Sequence, residues 1–278
     1  MNPPVLPSSA TTSSELLRDL VRSFLFDDRL YSMSSTRTFQ RRRHNRVLLL
    51  DGGTGEELIA NGVPYDSKIW SARAITDDSY HVTVEKVHTS FITSGCDAIT
   101  TNSYGIVPGV GFTKSEIAQY SAVAGQIARR TVLAHDASTR NLVVSNDQEY
   151  PVFVLGSLGP LVESYRADNI MSRSDGIEYY TIILHALQPY VDAFIAETLS
   201  SSEEAIQVLQ SLSNHILSNE LCTDNTKTTT SDVLFISFTV NTEGSLRGNE
   251  NIITAILRVL EYQRSHASNV HSKCLEWL

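Results

Sequence analysis

Two acidic residues directly follow short apolar runs and are the first candidates for chemistry. Asp51 follows the run Val47–Leu50, and Glu197 follows the run Ala193–Ala196. Paired carboxylates suit an ammonium group, because a charge-assisted hydrogen bond is among the stronger polar contacts. The glycine turn that begins at Gly52 permits close backbone approach, so its amide groups can hold a carboxylate. Together these features predict a site for an amino acid, although a helix cap or a surface ion pair explains any single acid equally well.

Hydroxyl side chains follow two other apolar runs. Thr101 ends the run Ala98–Thr101 and begins a polar segment, and Ser157 lies in the turn after the run Val152–Leu155. Both side chains can donate and accept hydrogen bonds to a polar ligand. No residue is assigned a catalytic or metal-binding role from the pattern alone. The predicted substrate-binding residues are Asp51, Gly52, Thr101, Ser157 and Glu197.

The elements that position these residues alternate between apolar runs and longer amphipathic segments. Apolar runs without polar alternation are typical of strands in a parallel sheet that helices cover on both faces. Strand followed by helix, repeated about five times, predicts an α/β fold: a doubly wound sheet or a (β/α)8 TIM-barrel type, here incomplete with about five βα units. Reactive groups in barrels gather at the carboxyl ends of the strands. The predicted helices span residues 79–94, 114–134, 176–190, 202–217 and 249–264.

Composition excludes several classes of protein. The chain has 278 residues, a net charge of -9 and 41% hydrophobic residues, which favours a small-molecule partner over nucleic acid. No apolar run approaches the roughly 18 residues of a membrane span. The three cysteines Cys96, Cys222 and Cys274 are widely spaced, which predicts neither a disulfide framework nor a zinc knuckle. We therefore expect a reduced, cytoplasmic protein without membrane or nucleic-acid partners.

The first 45 residues differ in composition from the rest. They contain prolines, a cluster of serine and threonine, and a run of arginines at residues 41–43. We interpret residues 1–45 as a poorly ordered N-terminal extension and residues 46–278 as a partial (β/α) barrel. An organelle transit peptide is the alternative, but such peptides avoid acids, and Glu15, Asp19, Asp27 and Asp28 are acidic.

The polar segments resemble, in order, the motifs of one known family. The segment LDGGTGEEL at residues 50–58 resembles the opening motif of the homocysteine S-methyltransferase family. The agreement continues in order to about Leu260, which makes it far more specific than any single motif. The later matching segments are WS (70–71), His88, GCD (95–97), TTNSY (100–104), GSLGP (156–160), DAFIAET (192–198), EA (204–205), ISFT (236–239) and the spaced Gly244, Leu246 and Gly248.

The resemblance implies a (β/α)8 barrel that moves a methyl group to the sulfur of homocysteine and gives methionine. The implied donor is S-methylmethionine, S-adenosylmethionine or betaine, and no nucleotide cofactor is expected. Zinc is the family's cofactor, because a metal converts the thiol into the nucleophilic thiolate. By the same resemblance, Asp51 and Glu197 match the acids that bind the amino-acid end of homocysteine.

Some features depart from the family pattern. The family usually has threonine where this chain has Glu56. The family's zinc is held by one cysteine in a Gly-Val-Asn-Cys context and two in a Gly-Gly-Cys-Cys context, and neither motif occurs here. Cys274 lacks the Gly-Val-Asn lead and is predicted to be a thiol on a helix or tail, whereas Cys96 is predicted to be a core residue. We therefore expect a chain truncated at its C-terminus, without zinc ligands and inactive in this form.

Alternatives to this prediction remain open. One is a non-catalytic amino-acid-binding remnant of the family. Another is a sugar-kinase-like ATPase, suggested by the DGGT turn at residues 51–54, although residues 56–61 favour a helix where that superfamily has a hairpin. His88 is interpreted as a satisfied packing residue. Trp70 and Tyr65 either stack on a sulfonium donor or form a hydrophobic lid. Five strands leave open parallel edges, which predicts oligomers or aggregation.

Overall fold

Parallel β-strands arranged in chain order form the sheet of this protein. The computed structural model describes residues 48–139, 152–220, 233–266 and 275–277. Within these residues the sheet order is β1-β2-β3-β4-β5, and every neighbouring pair is parallel. Parallel neighbours require a crossover connection, which the intervening helices supply. The strands are β1 (Ala98–Thr100), β2 (Phe153–Leu158), β3 (Ala193–Leu199), β4 (Leu234–Phe238) and β5 (Leu275–Trp277).

The first predicted strand lies beside β1 but forms only one bridge. Leu50 pairs with Ala98 in parallel, and the Asp51 amide donates to the Ala98 carbonyl at 3.0 Å. The Leu49 amide donates to the Asp97 carboxylate at 3.0 Å, and the Leu49 carbonyl accepts from the Asp97 amide at 2.7 Å. The segment therefore extends the sheet on the far side of β1, as its apolar run predicts, without a full ladder.

The helices follow the predicted segments to within a few residues. Differences arise at the ends, where capping side chains decide the boundary. The fifth helix begins at Arg173 because the Ser172 hydroxyl accepts from the Asp175 amide, and the last begins at Ile252 because Asn251 accepts from the Ile253 amide. The helices are α1 (Thr54–Ala60), α2 (Arg73–Thr76), α3 (His81–Thr93), α4 (Lys114–Thr139), α5 (Arg173–Leu187), α6 (Ser202–Glu220) and α7 (Ile252–His266).

The central strands are buried on both faces. All six residues of β2 are buried, and Phe194 and Leu234 in the neighbouring strands are fully buried. Alternate side chains such as Val154 and Phe194 belong to the apolar cluster that the helices complete. Burial of both faces explains why these strands read as continuous apolar runs.

Several predictions fall outside the described residues. These are the extension over residues 1–45, Cys222 and Cys274. β5 was not predicted, because three residues are too few to produce a recognisable apolar run. Of the helices in the described part of the chain, none has both the length and the apolar character that crossing a bilayer requires.

Candidate functional site

A pocket of about 360 Å³ lies at the carboxyl ends of β1, β2 and β3. Its volume lies in the range of small-molecule sites. Of the five predicted substrate-binding residues, Gly52, Thr101, Ser157 and Glu197 line it, whereas Asp51 lies beside it. The sheet thus brings together residues that are far apart in sequence. The lining residues are Gly52, Gly53, Thr54, Gly55, Trp70, Ser71, Thr100, Thr101, Asn102, Tyr104, Ser157, Ser164, Tyr165, Glu197 and Thr198.

Glu197 is the acid that lines the pocket directly. Its carboxylate accepts a hydrogen bond of 2.5 Å from the Ser157 hydroxyl on the neighbouring strand. Burial raises the pKa of Glu197, and the hydrogen bond from Ser157 opposes that rise. A buried carboxylate with one hydrogen-bond donor retains acceptor capacity for a ligand.

A bulge in β3 places Glu197 and Thr198 together on the pocket side. Ala196 pairs with Ile236 and Leu199 pairs with Phe238, so β3 advances three residues while β4 advances two. Thr198 has a φ of 64°, a left-handed conformation that is rare for a β-branched residue. Bulges of this kind redirect side chains next to active sites. The extra residue lets Leu199 return to the apolar core while its two predecessors line the pocket.

Asp51 faces β1 from the edge of the pocket. Its carboxylate accepts from the Thr100 amide at 2.7 Å and from the Thr100 hydroxyl at 3.0 Å. Burial raises the pKa of Asp51 to about 7, the hydrogen bonds from Thr100 counteract that rise, and repulsion from Glu197 adds to it. The two acids therefore lie within electrostatic reach of each other. Since no residue lining the pocket is basic within the described ranges, this site favours a cationic ligand group.

A network of hydroxyl groups fixes the strand ends below the acids. The Ser157 amide donates to the Thr101 hydroxyl at 3.0 Å, and the Ser103 hydroxyl donates to the Ser157 carbonyl at 2.7 Å. The hydroxyls of Thr101 and Ser103 are 2.8 Å apart. Thr101 thus holds the residue that in turn contacts Glu197, and its predicted direct contact with substrate stays a prediction.

Aromatic side chains form one wall of the pocket. The rings of Trp70 and Tyr104 meet edge to face with centroids 6.1 Å apart, and the Tyr104 hydroxyl lies 2.6 Å from that of Ser164. A side chain at Gly55 would collide with the indole of Trp70 at 2.4 Å, so only glycine permits this contact. Tyr165 completes the wall and, like Trp70, has a positive φ.

The aromatic wall differs from the sequence prediction at two positions. Tyr65 is 69% exposed and does not line the pocket. The sequence prediction did not include Tyr165 and Ser164. Both lie in the loop after β2, and active-site residues of barrels often lie in the loops that follow strands. The rule could not single them out, because that loop extends from residue 159 to residue 172.

His88 lies in the core and not in the pocket. It is fully buried in α3, and neither ring nitrogen has a hydrogen-bond partner in the described part of the chain. The prediction that His88 is a packing residue agrees with its burial, but the prediction that its polar atoms form hydrogen bonds is wrong for the described residues. Burial lowers its pKa to about 4.

The described residues do not fit a zinc site. Among them, no group of three or more histidine, cysteine, aspartate or glutamate side chains is arranged to hold a metal. Cys96 is buried ahead of β1. Its burial and the neighbouring Asp51 and Asp97 raise the pKa of its thiol to about 12, which disfavours the thiolate that zinc binds.

A repeated βα fold with a pocket at the carboxyl ends of its parallel strands is the arrangement of the (β/α)8 barrel class of proteins. The family model for homocysteine S-methyltransferase matches residues 48–274, so the chain belongs to that family. The family resemblance of the sequence motifs is thereby confirmed. The sugar-kinase alternative is wrong, because α1 follows the glycine turn directly where that superfamily has a hairpin.

Relatives of known name share part of their length with this chain. A homocysteine S-methyltransferase of Escherichia coli is 30% identical over 131 residues, which is 46% of this chain and 40% of that protein. Homocysteine S-methyltransferase 2 of Zea mays is 32% identical over 118 residues, which is 40% of this chain and 33% of that protein. The matches thus span less than half of the relatives' own length.

Solved structures confirm the predicted (β/α)8 TIM-barrel type of fold. The metallated form of the homocysteine methyltransferase MmuM from Escherichia coli matches with a TM-score of 0.62 at 20% identity, covering 85% of this chain and 76% of that one. Its apo form matches with a TM-score of 0.58 at 18% identity, covering 81% of this chain and 71% of that one. At this level of identity the likeness establishes the fold alone.

Proposed function

We propose that this chain binds homocysteine as the acceptor in methyl transfer from a sulfonium or betaine-type donor, with methionine as the product. The observation that supports this function is the pair of buried carboxylates, Asp51 and Glu197, at one pocket whose described lining has no basic residue. Two buried acids without a counterion are costly, and a ligand ammonium group relieves that cost. Family membership directs the choice among amino acids to homocysteine.

The proposed arrangement assigns a part to each end of the substrate. The ammonium group lies between Glu197 and Asp51, where it forms charge-assisted hydrogen bonds. Gly52 and Gly53 line the same pocket, and their bare backbone lets the substrate carboxylate approach the amide groups. Thr101 and Ser157 hold Glu197 in place through the hydroxyl network. The thiol end then extends toward the aromatic wall, where the donor binds.

Thiol activation is not assigned to any described residue. The family's chemistry needs a thiolate, and the described residues do not fit a zinc site. We propose that the chain of residues 1–278 has impaired methyl transfer by itself. The second candidate function, amino-acid binding without methyl transfer, is favoured by this same observation and uses the same pocket.

Calorimetric titration of the chain with homocysteine tests the binding proposal. We expect Glu197→Gln to weaken binding by about tenfold or more, because a hydrogen bond to a charged partner is lost in a buried site. Glu163→Gln is the matched control: it removes an exposed acid from the loop after β2 and leaves the pocket lining unchanged. Equal affinity of wild type and Glu197→Gln would contradict the proposal, as would no binding at all.

A methyl-transfer assay separates the two candidate functions. The chain is incubated with homocysteine, S-methylmethionine and added zinc, and methionine formation is followed. Formation of methionine by wild type, abolished by Glu197→Gln, supports the transferase. Binding of homocysteine without any methionine formation supports the amino-acid-binding function.

A further inference from the structure

Arg247 lies beside Tyr165, a residue that lines the acidic pocket. The guanidinium carbon of Arg247 lies 5.4 Å from the ring centroid of Tyr165, and Tyr165 lines the pocket. This distance is within the range of a cation–π contact. Both side chains are exposed, whereas Glu197 lies deeper between the strands. The positive charge of Arg247 is thus exposed to solvent, whereas the two carboxylates are buried.

Close packing of two loops brings Arg247 to this position. The loop of residues 159–172 follows β2, and the loop of residues 239–251 follows β4. A side chain at Gly248 would lie 2.6 Å from the Cβ atom of Ala167, so only glycine allows the loops to approach this closely. Since β3 lies between β2 and β4, the two loops meet near the end of the strand that carries Glu197.

The loop that carries Arg247 is held in a defined shape. Val240 and Leu246 form one antiparallel bridge, and Ser245 and Asn251 form another. Leu246 is fully buried beside Arg247 and anchors the loop. The conformation of the loop therefore presents the arginine side chain at a defined place.

No acid of the described residues forms an ion pair with Arg247, whereas the nearby Arg166 is paired with Asp168 and Glu163. Arginine prefers planar carboxylates, which it binds through two parallel hydrogen bonds. A ligand with a cationic group toward the acids and a carboxylate toward the solvent matches this separation of charge. A donor that lacks a carboxylate forms no ion pair with the guanidinium of Arg247.

We propose that Arg247 is a specificity residue that selects methyl donors bearing a carboxylate. The inference rests on the proposed function, since it concerns the second substrate of the same pocket. The donor carboxylate binds the Arg247 guanidinium, and the Tyr165 ring holds that guanidinium in place. The cationic methyl-bearing centre then points inward, toward the aromatic wall and the acids.

The test compares S-methylmethionine with its carboxamide, which lacks only the carboxylate charge. Both are titrated by calorimetry into wild type, Arg247→Gln and Arg247→Lys. We expect wild type to prefer the carboxylate, and we expect Arg247→Gln to lose about fivefold in affinity for it while the carboxamide binds as before. Arg247→Lys should retain part of the preference, because it keeps the charge and loses the planar geometry. Added salt should reduce the preference, because the contact is exposed.

Arg166→Gln is the matched control, because it removes an exposed arginine from the facing loop that already has acidic partners. It should leave the preference intact. A preference that survives Arg247→Gln, a wild type that binds both compounds equally, or a wild type that binds neither would overturn the inference. Titration of homocysteine into the same preparations distinguishes the two proposals. Unchanged homocysteine binding without a donor preference would contradict only the role of Arg247. Absence of homocysteine binding would contradict the proposed function.

Discussion

Two carboxylates dominate the pocket at the scale of single residues. Burial raises the pKa of both Asp51 and Glu197, and repulsion from Glu197 adds to the rise at Asp51. An ammonium ligand binds the ionised carboxylates and therefore competes with a proton on Asp51. Proton release therefore accompanies ligand binding whenever the free protein holds Asp51 protonated.

Homocysteine binding should depend on pH because of Asp51. Its pKa is raised to about 7, so below that pH the acid is neutral and cannot bind the ammonium group fully. We expect affinity to rise by up to about tenfold per pH unit from roughly pH 5.5 to 7 and to level off above. Calorimetry across this range measures it. Asp51→Asn should flatten the profile, and a wild-type profile that is flat already would disprove the assignment.

His88 should make the folded protein sensitive to acid. Its pKa in the folded state is lowered to about 4 from 6.5, so the unfolded chain takes up a proton first as the pH falls through this interval. The free energy of unfolding should therefore fall as the pH is lowered from about 6.5 to about 4. We expect His88→Met to reduce this loss by about 1–2 kcal/mol, since methionine fills the site without unpaired polar atoms. Urea denaturation at both ends of the interval measures it.

His266→Gln is the control for that experiment. His266 is exposed near the end of α7, and its replacement should leave the acid sensitivity unchanged. An equal loss of stability in wild type and His88→Met would show that other groups cause the acid sensitivity.

At the scale of elements, the bulge of β3 is the feature on which the site depends. A regular strand would alternate its side chains between the two faces, so Glu197 and Thr198 could not both line the pocket. The extra residue and its left-handed backbone permit this arrangement. Such conformations cost about 1–3 kcal/mol and persist only where the surroundings impose them.

Replacement by glycine should have different effects at two strand ends. Thr198→Gly removes the cost of a positive φ, and this gain offsets both the greater freedom of unfolded glycine and the lost hydrogen bond between Thr198 and Tyr104, so we expect a change within about half a kcal/mol. Thr239, at the end of β4, has an ordinary φ, and its hydroxyl donates to the Leu199 carbonyl. Thr239→Gly should lower the free energy of unfolding by about 1.5 kcal/mol. Chemical denaturation measures both, and equal losses would show that Thr198 is not strained.

At the scale of the whole molecule, the edges of the sheet should govern self-association. Within the described residues, nothing pairs with Leu50 on the side away from β1. Leu49 on this edge is 53% exposed. Unpaired edges with apolar side chains favour association. We expect light scattering after size-exclusion chromatography to find oligomers of the 278-residue chain, and we expect Leu49→Lys to reduce them.

Leu257→Lys is the matched control for the edge experiment. Leu257 is also exposed and apolar, but it lies on α7 and not at a sheet edge. Monomeric wild-type protein, or an equal effect of both lysine substitutions, would show that the edge does not drive association.

The zinc content of the purified protein tests the prediction that this chain does not bind zinc. The described residues offer no group of ligands, and the thiol of Cys96 is held protonated by its surroundings. We expect the purified 278-residue chain, dialysed against buffer without chelator, to contain less than about 0.2 zinc per chain, because a catalytic site needs about three protein ligands. Mass spectrometry of metals measures this, and about one zinc per chain would refute it.

Features that depend on local patterns follow directly from the amino-acid sequence. Helices α3 to α7 and strands β2 to β4 were predictable, because periodicity, apolar runs and capping residues act over a few neighbouring positions. The edge of the sheet that carries the candidate site also followed from sequence, since acids and glycines come directly after the apolar runs. The family was likewise recognisable from the order of its motifs.

The way in which these residues face one another depends on the folded chain. The turn of Asp51 toward Thr100, the bulge at Thr198, and the contact between Arg247 and Tyr165 each depend on register or loop packing between segments distant in sequence. Burial of His88 without a hydrogen-bond partner is of the same kind. Local sequence carries no information on such contacts, because their energies depend on which distant atoms arrive beside them and on how much water is excluded.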